Sequence, residues 1–263
     1  KPERYHEYGY FPGCVDFMDV EVKFTHLNKG DADHASIAAA SIKLLNYADI
    51  DPLVLDMNVF KCSGHDQLWQ GNLEVFDALK EHNLKRLKES GIKIITCSCA
   101  ECYRTFAVDY DLPNTLGIKV EHITQTLQGR GLKFKAPENV TVAYHDPCRL
   151  GRMMGEYEAP RDLIQLVDGA TMVELENNKE RALCCGVSSM MYCNDATKAV
   201  RRKRLDQGTD AGIDLMLGGC PKCYMHMQCM LNEERMNPEE GHHHDYEMMD
   251  LMQFLVACLE DEK

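Results

Sequence analysis

Five cysteines in the second half of the chain constrain it more than any other feature. They are Cys148, the adjacent pair Cys184 and Cys185 followed by Gly186, and Cys220 and Cys223 framing a C-P-K-C run. A buried structural cysteine behaves as a small hydrophobe and needs no partner at a fixed offset. A soft metal or an iron–sulfur centre needs several thiolates delivered to one point. The pattern therefore favours a metal or cluster over core filling, and over a disulfide framework. There are 13 cysteines in a chain that shows no secretory signal, and a reducing cytosol keeps thiols reduced. An odd count also leaves at least one thiol over in any disulfide scheme. A cytoplasmic location is the expectation. The chain begins at Lys1 rather than Met, so it reads as processed or as part of a longer chain.

The first half carries a similar set in the same order. Cys14 closes Phe11-Pro12-Gly13-Cys14, Cys62 lies in Lys61-Cys62-Ser63-Gly64, and Cys99-Ala100-Glu101-Cys102 supplies a C-x-x-C. Matching order at nearly equal intervals argues for duplication of one cysteine-bearing unit. Gly129, Gly131, Pro137 and nearby charges interrupt the periodic segments, so the division is expected between Gly129 and Asn139, giving domains 1–135 and 136–263. The 263 residues, 44% hydrophobic, suffice for one large domain or two of ordinary size. A charge of −13, from 29 basic and 42 acidic residues, opposes nucleic-acid and anionic-membrane binding. No apolar run approaches the roughly 20 residues of a membrane span.

Short apolar runs at 52–55, 93–96, 141–144, 172–175 and 214–217 read as covered parallel strands. Helical patterns at 35–47, 72–89, 160–167 and 195–207 alternate with them. The expected fold class is α/β: two similar cysteine-rich domains related by a pseudo-twofold duplication, with short parallel sheets flanked by helices. Lys198, Arg201, Arg202, Lys203 and Arg204 in the last pattern read as a solvated helix face, with a docking surface as the sharper alternative. Cys99, Cys148 and Cys220 each fall where a strand hands over to a helix, where free backbone N–H groups favour thiolate charge. Pro147 and Pro221 suit the first turn of such helices.

A lone C-x-x-C also suits a thioredoxin-like redox pair, but the extra cysteines make that a minor reading. Structural zinc takes four ligands, usually from two knuckles, and neither half offers a second knuckle. The adjacent pair is awkward for one tetrahedral ion and manageable when two thiolates bind different irons. Five cysteines exceed the needs of one zinc or one cubane, which favours an iron–sulfur assembly of unusual shape.

The arrangement Cys148, Cys184-Cys185-Gly186, Cys220-x-x-Cys223, preceded by a degenerate first copy, resembles the CCG cysteine-rich domain pair of the B-type and D-type subunits of heterodisulfide reductase and of glycolate oxidase iron–sulfur subunits. Flanking words add to it: Gly64-His65-Asp66-Gln67-Leu68-Trp69, Tyr103-Arg104-Thr105-Phe106 after the first C-x-x-C, and Tyr144 to Arg149. The resemblance covers almost all of residues 5–258. It implies two α/β domains, each with a five-cysteine motif for a noncubane [4Fe-4S] cluster, which in the heterodisulfide reductases cleave a disulfide held between them. The implied second set is Cys148, Cys184, Cys185, Cys220 and Cys223. The implied first set is Cys14, Cys62, Cys99 and Cys102, with Lys61 in the place of the first cysteine of the pair. Four thiolates hold a cubane, so the first site is open to either cluster form.

Cys97 lies on the same strand face as Cys99 and is a reserve ligand or, more plainly, a core cysteine. Lys61 reads either as a cation beside the cluster, with a catalytic role alongside Cys184 and Cys185, or as a lysine reaching water. Lys222, Arg104, Arg149 and Arg152 read as a cationic surround or as surface ion pairs. His65 and His145 read as donors to cluster sulfur or as satisfied structural histidines. Cys193, Cys229, Cys258 and the Met-rich tail read as core, and His242, His243 and His244 as a native loop.

No dinucleotide fingerprint and no ferredoxin run of cysteines is present. Flavin and cubane relays are therefore expected from other chains, and the resemblance implies a ferredoxin-like C-type subunit and a flavin-bearing A-type subunit. Two functions stand open: a thiol:disulfide oxidoreductase subunit acting on a small thiol or disulfide, or an electron-transfer subunit that touches no organic substrate.

Overall fold

The computed structural model describes residues 6–15, 33–187 and 194–260. The principal elements of the first half are β1 (Tyr8–Phe11), α1 (Ala35–Tyr47), β2 (Leu53–Val54), α2 (His65–Trp69), α3 (Leu73–Ser90), β3 (Ile94–Cys97), α4 (Ala100–Arg104), β4 (Lys119–His122) and α5 (Ile123–Leu127). Those of the second half are β5 (Phe134–His145), α6 (Glu158–Gln165), β6 (Val167–Val173), α7 (Asp195–Asp210), β7 (Leu215–Gly218), α8 (Pro221–Met236), β8 (Glu247–Asp250) and α9 (Leu251–Ala257).

Each half builds its own parallel four-stranded sheet, in the orders β2-β1-β3-β4 and β6-β5-β7-β8. The duplication inferred from cysteine order is thus also a duplication of topology. Parallel pairing demands crossovers, which the helices supply while covering the sheets. Each half's first crossover helix lies on the other half's last helix: α1 packs on α9, and α6 on α5. Gln253 of α9 donates to Asp33 O (3.0 Å) and Ser36 Oγ (2.5 Å), and Gln125 of α5 donates to Glu156 Oε2 (2.6 Å). Tyr10, Leu44 and Leu45 share one apolar cluster with Leu217, Leu251 and Leu255, so the core runs through both halves.

Several expectations shift. The helix expected at 160–167 ends at Gln165, because Val167 opens β6 instead. β5 starts at Phe134, inside the interval read as a division; Phe134 and Ala136 are buried, and Pro137, which has no N–H for the ladder, sits where the register shifts. Strands β1, β4 and β8 escaped the apolar-run reading. β4 and β8 are edge strands carrying Lys119, Glu121, Glu247 and Asp250, which hide the signal.

The largest correction falls on the basic run of α7. Arg201 and Arg204 are fully buried, while Ala199 and Val200 are exposed and Lys203 alone of residues 201–204 stands in solvent. Lys198 pairs with Glu233 (2.5 Å) and Arg202 with Glu234 (3.6 Å). Among the described residues, no helix is long and apolar enough to cross a membrane.

Candidate functional site

The second thiol set is assembled by three handovers from sheet to helix. Cys220 is the N-cap of α8 in extended conformation (φ −154), Pro221 takes the first helical position without wasting a donor, and Cys223 follows. Cys148 lies in the turn after β5. Two residues before it, Asp146 accepts from Arg161 (2.7 and 3.0 Å) and from the Lys179 backbone (2.8 Å), which pins that turn. Cys184 and Cys185 precede α7. Gly186 has φ +78, and a Cβ there would meet Thr197 O at 2.5 Å, so only glycine fits the bend. Its N–H is thereby aimed at Cys184 Sγ (3.3 Å).

All five thiols line one pocket together with Arg149 and Glu101. Hydrogen bonds from Cys184, Cys223 and His145 hold Cys185 well below the usual thiol range, and Cys184 and Cys223 are pushed up in return. Burial lowers the pKa of His145, which remains neutral. No disulfide joins the described cysteines. The pocket fits an anionic, thiolate-held group. Arg204 is fully buried, makes no ion pair with a carboxylate among the described residues, and leaves Nη2 without a partner. A buried cation needs a counter-charge, and a set of thiolates supplies one.

In the first half, Cys99 caps α4 as Cys220 caps α8, and Cys102 follows. Cys14 Sγ and Cys62 Sγ lie 3.8 Å apart, and the hydrogen bond between them lowers the Cys62 thiol. The structure corrects the alignment of the degenerate motif. Gly64 has φ +81 and donates to Cys62 Sγ (3.4 Å), just as Gly186 donates to Cys184, so Cys62 is the counterpart of Cys184. Ser63 then stands where Cys185 does, and its Oγ reaches Cys102 Sγ (3.4 Å) as Cys185 reaches Cys223. Ser63 is buried, whereas the Lys61 side chain is exposed; only the Lys61 backbone is held, by Asn83. The missing fifth ligand is therefore at Ser63 and not at Lys61. Cys97 is fully buried in the apolar core, and burial pushes its thiol up, as expected of a packing residue.

The two sets meet. Cys99 and Cys220, the leading residues of the two C-x-x-C motifs, hydrogen-bond each other. Lys222, buried between the second pair, crosses to the first half and donates to Asp66 Oδ1 and Oδ2 (2.6 and 2.7 Å), with Glu101 Oε2 at 2.7 Å. Burial pulls the Lys222 pKa down, but Glu101 and Asp66 outweigh it and hold the ammonium above the ordinary lysine range. Burial pushes Glu101 up to about 8 against the pull of Lys222. His65, Asp66 and Glu101 could together face a metal ion, but the Lys222 ammonium already occupies the carboxylates.

The other expected cations divide. Arg149 lies 3.8 Å over the Trp69 ring and donates to His65 Nε2 (3.3 Å). Arg104 pairs with Asp109, and Arg152 donates to Ala182 O (2.6 Å), bracing the loop before Cys184. Burial, with Lys222 and Arg149, lowers the pKa of His65, which also bonds Thr105 (3.1 Å). Cys229 and Cys258 are buried, and Cys193 lies outside the described residues. Of the histidine run, His242 and His243 are exposed, whereas His244 is buried on Glu234 (2.6 Å) and Asp206 (3.2 Å). Sequence reasoning missed Asp66, Glu101 and Arg204; for Glu101 its place inside a C-x-x-C was the available signal.

The cysteine-rich domain model named CCG matches residues 8–107 and 142–228. The D-type subunit of the dihydromethanophenazine:CoB–CoM heterodisulfide reductase of Methanosarcina barkeri is 31% identical over 77% of this chain and 52% of its own length. The B-type subunit of the CoM/CoB fumarate reductase of Methanothermobacter marburgensis is 26% identical over 97% of this chain and 47% of its own length. The EtfAB:quinone oxidoreductase of Syntrophomonas wolfei is 27% identical over 82% of this chain and 30% of its own length. The chain thus spans about half or less of the length of these relatives. With two matched segments, two copies of one sheet and two facing thiol sets, the chain belongs to the CCG cysteine-rich domain family.

Proposed function

We propose that this chain is an iron–sulfur subunit of a heterodisulfide reductase-like oxidoreductase complex and that it reduces or forms a disulfide of a small thiol at the second thiol set. The observation that carries this reading is the single pocket lined by Cys148, Cys184, Cys185, Cys220 and Cys223. Those five residues would hold a noncubane [4Fe-4S] cluster, and Cys14, Cys62, Cys99 and Cys102 a cubane or noncubane one. When bound, such clusters supply single electrons and an iron able to take a sulfur ligand. The chain itself contributes position and charge. Lys222 keeps a protonated Nζ at the meeting of the two sets. Arg149, braced on Trp69, offers a cationic wall to the pocket. Lys61, exposed, has no part in this arrangement.

The relatives named as reductase subunits support a place in a complex. By the family resemblance, we assign the partners as a ferredoxin-like C-type and a flavin-bearing A-type subunit, in the cytoplasm. Ser63 favours one other reading. With a serine at that place the first set has four thiols, as an electron-relay site does, so the chain would then pass electrons without touching a disulfide.

Anaerobically loaded protein decides between them. Iron and sulfide counting should give two clusters' worth, and soaking the reduced protein with small disulfides should produce a new EPR signal from a thiol-bound iron. Fast electron passage with an unchanged spectrum would establish the relay, and a colourless protein would end both readings.

A further inference from the structure

Sequence reasoning put Arg204 in solvent, and its burial has a chemical consequence at Cys185. Its Nε donates to His145 Nδ1 at 3.0 Å, and its Nη1 donates to Asn177 O (2.6 Å) and Gln207 Oε1 (2.9 Å). A guanidinium has N–H donors only and does not give up its proton in a protein. The nitrogen it faces must therefore present a lone pair. Nδ1 of His145 is the acceptor, so the ring proton sits on Nε2. With Nδ1 taken by Arg204, it is Nε2 that meets the Cys185 thiol, with which His145 hydrogen-bonds. His145, Cys185 and Cys223 all present atoms within 4.8 Å of one another.

We infer that Arg204 fixes His145 as an Nε2–H donor to the Cys185 sulfur, making His145 a positioning residue of the second site and not one of its ligands. Ligation would require the Nε2 lone pair, and moving the proton to Nδ1 would set N–H against N–H beside a fully buried guanidinium. The first half supplies the contrast. His145 is the last residue of β5, three before Cys148, and the same place at the end of β1, three before Cys14, is held by Phe11. Phe11 packs edge-on against Phe106 (4.9 Å) and donates nothing. The half with Ser63 in place of the extra thiol thus has no donor there, and the half with Cys185 has one. A hydrogen bond to a thiolate ligand draws charge from it and favours the reduced cluster, so His145 raises the reduction potential of the second site.

This inference rests on the iron–sulfur reading of the second thiol set, and its test separates the two. The full chain, loaded anaerobically and labelled with 15N-histidine, is compared with His145→Phe and His145→Gln. Iron content is counted, the midpoint potential is followed by EPR, and couplings are read by ENDOR in H2O and D2O. In the wild type we expect an exchangeable proton coupled to the cluster and a 15N coupling too weak for a bonded ligand. His145→Phe should lose the proton coupling and shift the potential negative. His145→Gln, whose carboxamide can accept from Arg204 and donate to sulfur, should keep most of the wild-type potential. A strong, directly bonded 15N coupling overturns the inference, and so does a loaded His145→Phe protein with unchanged potential and couplings. Because the wild-type couplings decide ligation by themselves, the inference stays testable even where a variant does not fold. A wild-type protein that takes up no iron sinks the underlying reading instead.

Discussion

The two thiol sites are built by the same backbone and differ in what that backbone presents. Both follow parallel strands in the same order, both cap a helix with the leading cysteine of a C-x-x-C, and both bend at a glycine near φ +80. The residue before that glycine is Ser63 in one and Cys185 in the other. The left-handed bend decides which side chain turns inward, so one atom, oxygen or sulfur, separates a four-thiol from a five-thiol site. The comparison teaches that topology delivers the sulfurs while a single position sets their number.

Exchanging that atom should have the largest effect. Cys185→Ser should convert the second site to the four-thiol type and abolish any noncubane signature, while Ser63→Cys should confer one on the first. Mössbauer and EPR spectra of anaerobically loaded variants read the outcome, and identical spectra in wild type and Cys185→Ser would break the comparison. Ser63 is buried and nearly isosteric with cysteine, so the second exchange should cost less than about 1.5 kcal/mol.

Next in size is the contact that makes the two sites one unit. Lys222→Met leaves Glu101 buried beside Asp66 without their cation. Breaking one partner of a buried pair costs about 3–5 kcal/mol, and the lower end applies because Asp66 is 36% exposed. Urea unfolding measures the loss. Adding Glu101→Gln should restore part of it, since the stranded charge is then removed; strictly additive losses would show the pair is not coupled.

Much of this was legible in the sequence, for identifiable reasons. The cysteines were readable because ligands must recur at intervals set by strands and helices, and α/β layering because central strands such as β7 are apolar throughout. Other features were hidden by local context. Arg201 and Arg204 carry the pattern of a solvated face, and only the tertiary fold shows that charged thiol chemistry lies beneath them. Ser63 was obscured by counting from Lys61, when the fixed point is the glycine whose φ sets the register of the loop. Lys222 looked like a surface cation, because its partners Asp66 and Glu101 come from the other half of the chain.

A smaller difference lies in how the two pair loops are held. Asn83, fully buried on α3, donates to Lys61 O (2.9 Å) and Cys62 O (3.2 Å) and accepts from Lys61 N (2.8 Å). The matching loop of the second half is braced from outside by Arg152, which is exposed. Asn83→Ala should therefore cost on the order of 2 kcal/mol, while Arg152→Ala should stay within about 0.5 kcal/mol. Chelator-driven iron loss, followed site by site, should accelerate at the first site in Asn83→Ala and change little at the second in Arg152→Ala.

The smallest effect sits at the last helix of each half, where the same capping box uses opposite acid–base chemistry. His122 caps α5 with Gln125 reciprocating, and Asp250 caps α9 with Gln253. Burial holds both neutral. It lowers His122 from 6.5 to about 4, and it raises Asp250 from 3.8 to about 8 against the bond from the Met252 N–H. In the window from 4 to 6.5 the unfolded chain binds the His122 proton more tightly than the folded one, so this group makes stability rise with pH and then level off. Between 3.8 and 8 the folded chain holds the Asp250 proton more tightly, so this group makes stability fall as pH rises. Each slope is bounded by about 1.4 kcal/mol per pH unit for one proton. Asp250→Asn keeps an acceptor for Met252 and removes the titration, so its advantage over wild type should grow from acid to alkaline pH. His122→Asn should gain over wild type only on the acid side of neutrality. Denaturant unfolding across this range checks both, and parallel curves for Asp250→Asn and wild type would show that the carboxyl is ionised in the fold.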